Sequence, residues 1–135
     1  MSLSHKWIQP ILAWTPALLM MGLLFWISAN ETPNFARTRF FGQDKMFHAC
    51  AYFGLACLYL RGLIWGGRTP SKTLLFLAIA GASLYGATDE YHQSWVPERV
   101  MGWEDWCADT LGASMLLLAQ RPVLGILARE RKRYP

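Results

Sequence analysis

The chain has 135 residues, of which 53% are apolar and 16% charged, and its formal net charge is +4. That length supports one domain and excludes much more, so residues 1–135 are read as a single unit. A soluble domain can reach the same apolar fraction and the same net charge, so the class must be read from how these residues are distributed.

Residues 7–30 carry no charge, a run of 24. At about 1.5 Å per residue, such a run crosses a bilayer core of roughly 30 Å. A cleaved signal peptide competes for this stretch, because His5 and Lys6 precede it. The run is long for a signal core, and Trp26 sits poorly where small residues should precede cleavage, so a retained span is expected.

Charge-free stretches recur at 46–60, 73–88 and 110–120, with 15, 16 and 11 residues. A full crossing needs about 20 residues, so each must take in flanking ionisable groups, giving spans at about 7–29, 45–65, 72–91 and 103–121. A basic tail, 122–135, follows. Trp7, Trp26, Trp65 and Trp103 then fall near span ends, where an aromatic belt puts them, while Trp14 reads as a packing residue.

With the N-terminus inside, nine basic residues are cytoplasmic: Lys6, Arg61, Arg68, Lys72, Arg121, Arg129, Arg131, Lys132 and Arg133. Four lie outside (Arg37, Arg39, Lys45 and Arg99), which follows the positive-inside rule. The acids segregate the other way, with Glu31, Asp44, Asp89, Glu90, Glu98, Glu104, Asp105 and Asp109 outside and only Glu130 inside. The expected fold is therefore all-α, a four-span transmembrane bundle with both termini cytoplasmic. A soluble four-helix bundle is the alternative, but it needs a polar face that the first helix lacks.

The third span is rich in small residues (Ala78, Ala80, Gly81, Ala82, Ser83, Gly86 and Ala87), which marks it as the central helix. Ser83 and Ser114 each stand in "GAS" without the turn motif or the base of a nucleophile. Cys50, Cys57 and Cys107 have no metal-ligand spacing and suit helix contacts. A Cys50–Cys107 bridge stays open, since both fall near the same end of their helices.

Three clusters meet at the outer surface. Asp44, His48 and Tyr52 lie four residues apart and stack on one helical face. The third span closes with Asp89, Glu90, His92 and Gln93, and the fourth opens with Asp105 and Asp109 a turn apart. Between them, "SWVPERVMGW" can fold Pro97 and Arg99 back over the helix ends. The short charge-free lengths put His48, Asp89 and Asp109 below headgroup level, where ionisable groups face a bundle interior or a wet cavity.

Plain structural roles account for several of these residues. Asp44 and Asp105 stand where N-caps are expected, and Lys45 and Arg99 can neutralise neighbouring acids. His48 alone suits a hydrogen-bonded interior position, Tyr52 suits packing, and His92 suits the interface. Taken alone, Glu90, Glu98 and Glu104 suit solvent. Asp109 lies past the first turn and Asp89 opposes the helix dipole, so neither has a helix-stability explanation.

Through "DKMFHACAYFGLA", "DEYHQSWVPERV" and "DWCADTLGA", the chain resembles the VanZ-like family of small bacterial membrane proteins, over residues 44–112. The resemblance implies a place in the bacterial cytoplasmic membrane, a site facing the extracytoplasmic side, and a relation to glycopeptide (teicoplanin) resistance. It also implies a set of pattern residues: Asp44, Lys45, His48, Tyr52, Asp89, Glu90, Gln93, Pro97, Arg99, Asp105, Asp109 and Gly112. Many relatives are expected to carry Asn at the position of Asp109, so the acid here adds a charge.

Three functions follow. In the first, an enzyme acts on a lipid-linked or cell-wall precursor headgroup, with His48, Asp89, Asp105 and Asp109 as catalytic candidates and His48 or Asp89 as general base. Asp44, Lys45, Tyr52, Glu90, Gln93 and Arg99 then contact substrate, Lys45 and Arg99 holding a phosphate or carboxylate near the helix N-termini. In the second, the same pocket binds an envelope lipid or glycopeptide headgroup without chemistry. The third, a small transporter, is disfavoured because the inner halves of the spans offer no relay. No cofactor is expected, although Asp89, Asp105, Asp109 and His48 have the oxygen-rich chemistry of an Mg²⁺, Ca²⁺ or Mn²⁺ site. The expected partner is a membrane lipid or lipid-linked precursor, and no nucleic acid.

Overall fold

The computed structural model describes residues 3–30, 42–65, 68–97 and 101–133, and among them the side chains of 3–10, 132 and 133 are left aside. The described residues form five helices and no strand: α1 (Leu3–Ser28), α2 (Gln43–Ile64), α3 (Lys72–Gln93), α4 (Trp103–Ser114) and α5 (Leu116–Arg133). The all-α expectation holds. Two helices are long and apolar enough to cross a membrane, at Ile11–Ser28 and Gln43–Ile64, and a third appears if α4 and α5 count as one span. Lys72 at the start of α3 and Asp89 and Glu90 at its end dilute an otherwise apolar stretch and keep it out of that set.

The expected single fourth span is broken. α4 and α5 meet at Met115 with a bend of 47°. Ser114 explains it locally: its hydroxyl bonds back to the Thr110 carbonyl at 2.7 Å, a contact that competes with the helical ladder and bends it. The Met115 N–H is shared between the carbonyls of Leu111 and Gly112, both at 3.1 Å. Much of the basic tail is the continuation of α5, which runs through Pro122 to Arg133.

The core follows stripes at helical spacing. On α2, the residues one turn apart after His48 are Tyr52, Ala56, Leu60 and Ile64, and all four are buried. On α3, Ala78 and Ala82 face them. α4 and α5 contribute Ala113 and Leu116 to the same core. α2 packs against α1, α3, α4 and α5 and makes the most extensive helix contacts, chiefly with α4 and α3, so it takes the central place that small residues had suggested for α3. The tightest approach is also made by α2. A Cβ placed on Gly112 of α4 would fall 2.5 Å from the Cα of Ala49 and would collide with its carbonyl. Only glycine permits this, because backbone meets backbone there.

The outward faces are apolar. Leu18, Leu19, Phe76, Leu84, Leu111 and Leu118 are exposed, Leu118 by 87%. Trp14 is a packing residue, as expected, set against Tyr59 with ring centroids 5.8 Å apart. All three cysteines are free thiols, so the Cys50–Cys107 bridge is absent.

At the end of the bundle formed by the C-terminus of α2, one side chain ties three helices together. Arg61 forks onto Glu130 of α5, with Nη2 at 2.6 Å and Nε at 2.9 Å from Oε1, and gives Nη1 to the carbonyls of Leu12 and Ala13 on α1. Pro16, four residues after Leu12, has no N–H to give that carbonyl, so the guanidinium supplies a donor that the helix itself cannot.

Candidate functional site

The ends of α1 and α3 and the starts of α2 and α4 come together at the opposite end, and most of the polar residues singled out from sequence are found there. Neither Asp44 nor Asp105 is an N-cap. Gly42 and Gly102 hold those positions, with no side-chain cap bond, and both acids lie inside the first turn. Both are instead drawn to Lys45, which bonds Asp105 and lies 3.2 Å from Asp44. The ammonium is thereby engaged on two sides by its own chain.

His48 stands one turn further in and half-buried. Its Nδ1 is 2.8 Å from Asp109 Oδ1, and its Nε2 is 3.9 Å from Asp105 Oδ1. A carboxylate only accepts, so with Asp109 ionised the hydrogen sits on Nδ1 and the lone pair of a neutral ring is left on Nε2. Asp109 is fully buried, and its second oxygen lies against Gly86, where a Cβ would come within 2.7 Å of it. Gly86 thus leaves room on α3 for a carboxylate arriving from α4, and the ring of Tyr52 closes the same spot.

Asp89 and Glu90 are adjacent but turn different ways, as an advance of about 100° per residue requires. Asp89 faces α1, accepting from Ser28 Oγ at 2.6 Å and from Gln93 Nε2 at 3.5 Å. Glu90, expected in solvent, is 1% exposed. Its Oε2 accepts the Gly102 N–H at 3.0 Å, which docks the start of α4 onto the end of α3. Glu90, His48 and Asp109 present ligand-type atoms that all lie within 4.8 Å of one another. Their common neighbour on α3 is therefore Glu90 rather than Asp89.

Sequence spacing held a signal for Glu90. Ala78, Ala82 and Gly86 form a stripe with steps of four, and the next step is residue 90. Ser28 carried no such signal, since only the packing of α1 against α3 brings it to Asp89. His92 stacks on Phe25, ring centroids 4.4 Å apart. Ser83 bonds Thr110 at 2.7 Å, and its carbonyl accepts from Trp106 Nε1 at 3.0 Å, a structural tie between α3 and α4. Arg99 lies outside the described residues, as do Glu31, Arg37, Arg39 and Glu98.

Four polar atoms are buried without a hydrogen-bond partner among the described residues: Tyr52 OH, Glu90 Oε1, Asp109 Oδ2 and His92 Nδ1. The first three belong to the cluster. Comparison with family models, with curated proteins and with solved structures gives no match to this chain. The VanZ-like resemblance rests on the motifs quoted above.

Proposed function

We propose that the chain is a VanZ-like integral membrane protein of the bacterial cytoplasmic membrane, with four spans and both termini cytoplasmic. The fourth span is then the bent pair of α4 and α5. In this reading the polar end opens to the extracytoplasmic side and acts chemically on the headgroup of a lipid-linked envelope precursor. Support for the placement comes from the apolar outward faces and from Trp26, Trp95 and Trp103, which are exposed around the polar end as an interfacial belt would be.

The observation that carries the reading is the contact of His48 with a fully buried Asp109. A buried carboxylate on one ring nitrogen fixes the imidazole's orientation and tautomer, which readies the other nitrogen to take a proton from water or a headgroup hydroxyl. Asp89 and Asp105 are the remaining catalytic candidates, with Asp105 the acid nearest that second nitrogen. Asp44, Lys45, Tyr52, Glu90, Gln93 and Arg99 complete the proposed contact set. Because Lys45 is already engaged by two acids, the described part of the pocket favours a headgroup hydroxyl or amine over a phosphate. A relation to glycopeptide resistance belongs to the same proposal.

The test is to incubate the protein, in lipid nanodiscs, with lipid-linked cell-wall precursors and to follow both precursor and product by mass spectrometry. Conversion by wild type, lost in His48→Ala and Asp109→Asn, is the expected result. If the precursors are bound but unchanged, the non-catalytic binder replaces the enzyme. Absence of both binding and conversion removes the headgroup proposal altogether.

A further inference from the structure

We infer that His48, Glu90 and Asp109 form a binding site for a divalent transition-metal ion, of the Zn²⁺ or Mn²⁺ class. The site shares the pocket and the imidazole of the proposed function, and its occupation is measurable without any lipid. An ion on either ring nitrogen takes the lone pair that a base needs, so with the ion bound the proton falls to Asp89, the other general-base candidate.

Geometry is the first support. One imidazole and two carboxylates, each from a different helix, offer atoms within 4.8 Å of one another. Bonds of about 2.0–2.2 Å put opposite ligands of one ion about 4 Å apart, so closure on an ion needs only side-chain adjustment. The second support is that the ligands are incompletely used. Glu90 is 1% exposed and Asp109 is 0% exposed, yet Glu90 Oε1 and Asp109 Oδ2 have no partner among the described residues. A buried carboxylate oxygen left bare is unfavourable, and a cation is the partner that satisfies two at once.

Charge gives the third. Asp89, Glu90 and Asp109 are buried here, and Lys45, the described lysine at this end, is turned to Asp44 and Asp105. The cluster is short of positive charge. The surroundings also resemble those of a built site. The Gly102 N–H holds Glu90 Oε2, which fixes the carboxylate in place and leaves Oε1 for the ion. Tyr52 OH, 2% exposed and unpartnered, is placed beside Asp109 to meet an ion-bound water. A nitrogen ligand beside two carboxylates favours Zn²⁺ or Mn²⁺ over Mg²⁺ or Ca²⁺, which prefer oxygen alone.

The experiment uses the full chain in detergent or nanodiscs, stripped with a chelator and titrated calorimetrically with Zn²⁺, Mn²⁺ and Mg²⁺ salts. Expected is one Zn²⁺ or Mn²⁺ ion per chain, bound more tightly than Mg²⁺ and raising the melting temperature. Zinc-edge absorption spectroscopy should show one imidazole among oxygen ligands. Glu90→Gln and Asp109→Asn should each weaken binding by on the order of tenfold or more. Glu104→Gln, an exposed acid at the same end, should leave it unchanged. If either cluster variant fails to fold, the wild-type imidazole signature and the ion-dependent melting shift still decide the matter. Failure of wild type to bind, binding unaffected by both cluster variants, or a zinc spectrum without imidazole would overturn the site. Those outcomes involve no precursor, so they leave the headgroup proposal standing; saturable metal binding without headgroup conversion removes only the latter.

Discussion

Gly112→Ala tests whether the closest helix contact also holds the polar cluster together. The added Cβ would sit 2.5 Å from the Cα of Ala49, against the about 3.5–4.0 Å of ordinary carbon contact, so α2 and α4 must part there by about 1 Å. Backbone atoms cannot rotate away as a side chain can, and overpacking of this kind costs about 1–3 kcal/mol. The site is affected too. Ala49 follows His48 directly, and Gly112 lies three residues after Asp109, so the same separation stretches the 2.8 Å His48–Asp109 contact beyond hydrogen-bonding range. The expected outcome is a lower melting temperature in detergent, by a margin matching that cost, together with loss of the proposed headgroup conversion. Gly54→Ala is the control, because a Cβ there meets nothing within 4 Å, and it should leave both properties intact. A Gly112→Ala protein as stable and active as wild type would refute the packing of α4 on α2 at this point.

Arg61→Ala should destabilise the bundle by an amount between the ~1 kcal/mol of an exposed ion pair and the ~3–5 kcal/mol of a fully buried one, since the Arg61 side chain is 13% exposed and that of Glu130 29%. Arg61→Lys should recover little of this in detergent unfolding, because an ammonium cannot supply the fork and the two α1 carbonyl contacts together. Ser28→Ala should cost about 1–3 kcal/mol by leaving a buried Asp89 oxygen bare, and Ser28→Thr should restore it, read from the same unfolding curves. For the proposed orientation, Ser94→Cys in a chain with Cys50, Cys57 and Cys107 replaced by Ser should react with an impermeant maleimide from outside intact cells, while a cysteine appended after Pro135 should not. The reverse labelling pattern would invert the topology.

What the sequence made legible was periodic. Charge-free runs located α1, α2 and α3 to within a few residues, and the four-residue spacing of Asp44, His48 and Tyr52 placed the last two on the face that the structure buries. The convergence of three helix ends was also readable, because each polar cluster sat where a charge-free run stopped. Choices between neighbours were not. Asp89 and Glu90 are one residue apart, and only the position of α1 decides that the first faces Ser28 and the second faces Asp109. The bend at Met115 was hidden for a similar reason: a serine inside a helix either bonds back to its own ladder or turns outward, and spacing does not say which. The capping expectation failed because glycines at 42 and 102 took the cap positions, leaving the acids two and three residues further on to pair with Lys45. Arg61 looked like a topology marker and acts as a strap, a role set by an unsatisfied carbonyl before Pro16 on another helix.

In this structure ionisable groups distant in sequence meet in one sheltered cluster. A double-mutant cycle on His48→Gln and Asp109→Asn, read as unfolding free energy in a fixed detergent, tests it most directly. Contact predicts a coupling of about 0.5–3 kcal/mol between the two substitutions. Losses that simply add, to within about 0.5 kcal/mol, would mean that the two side chains act independently.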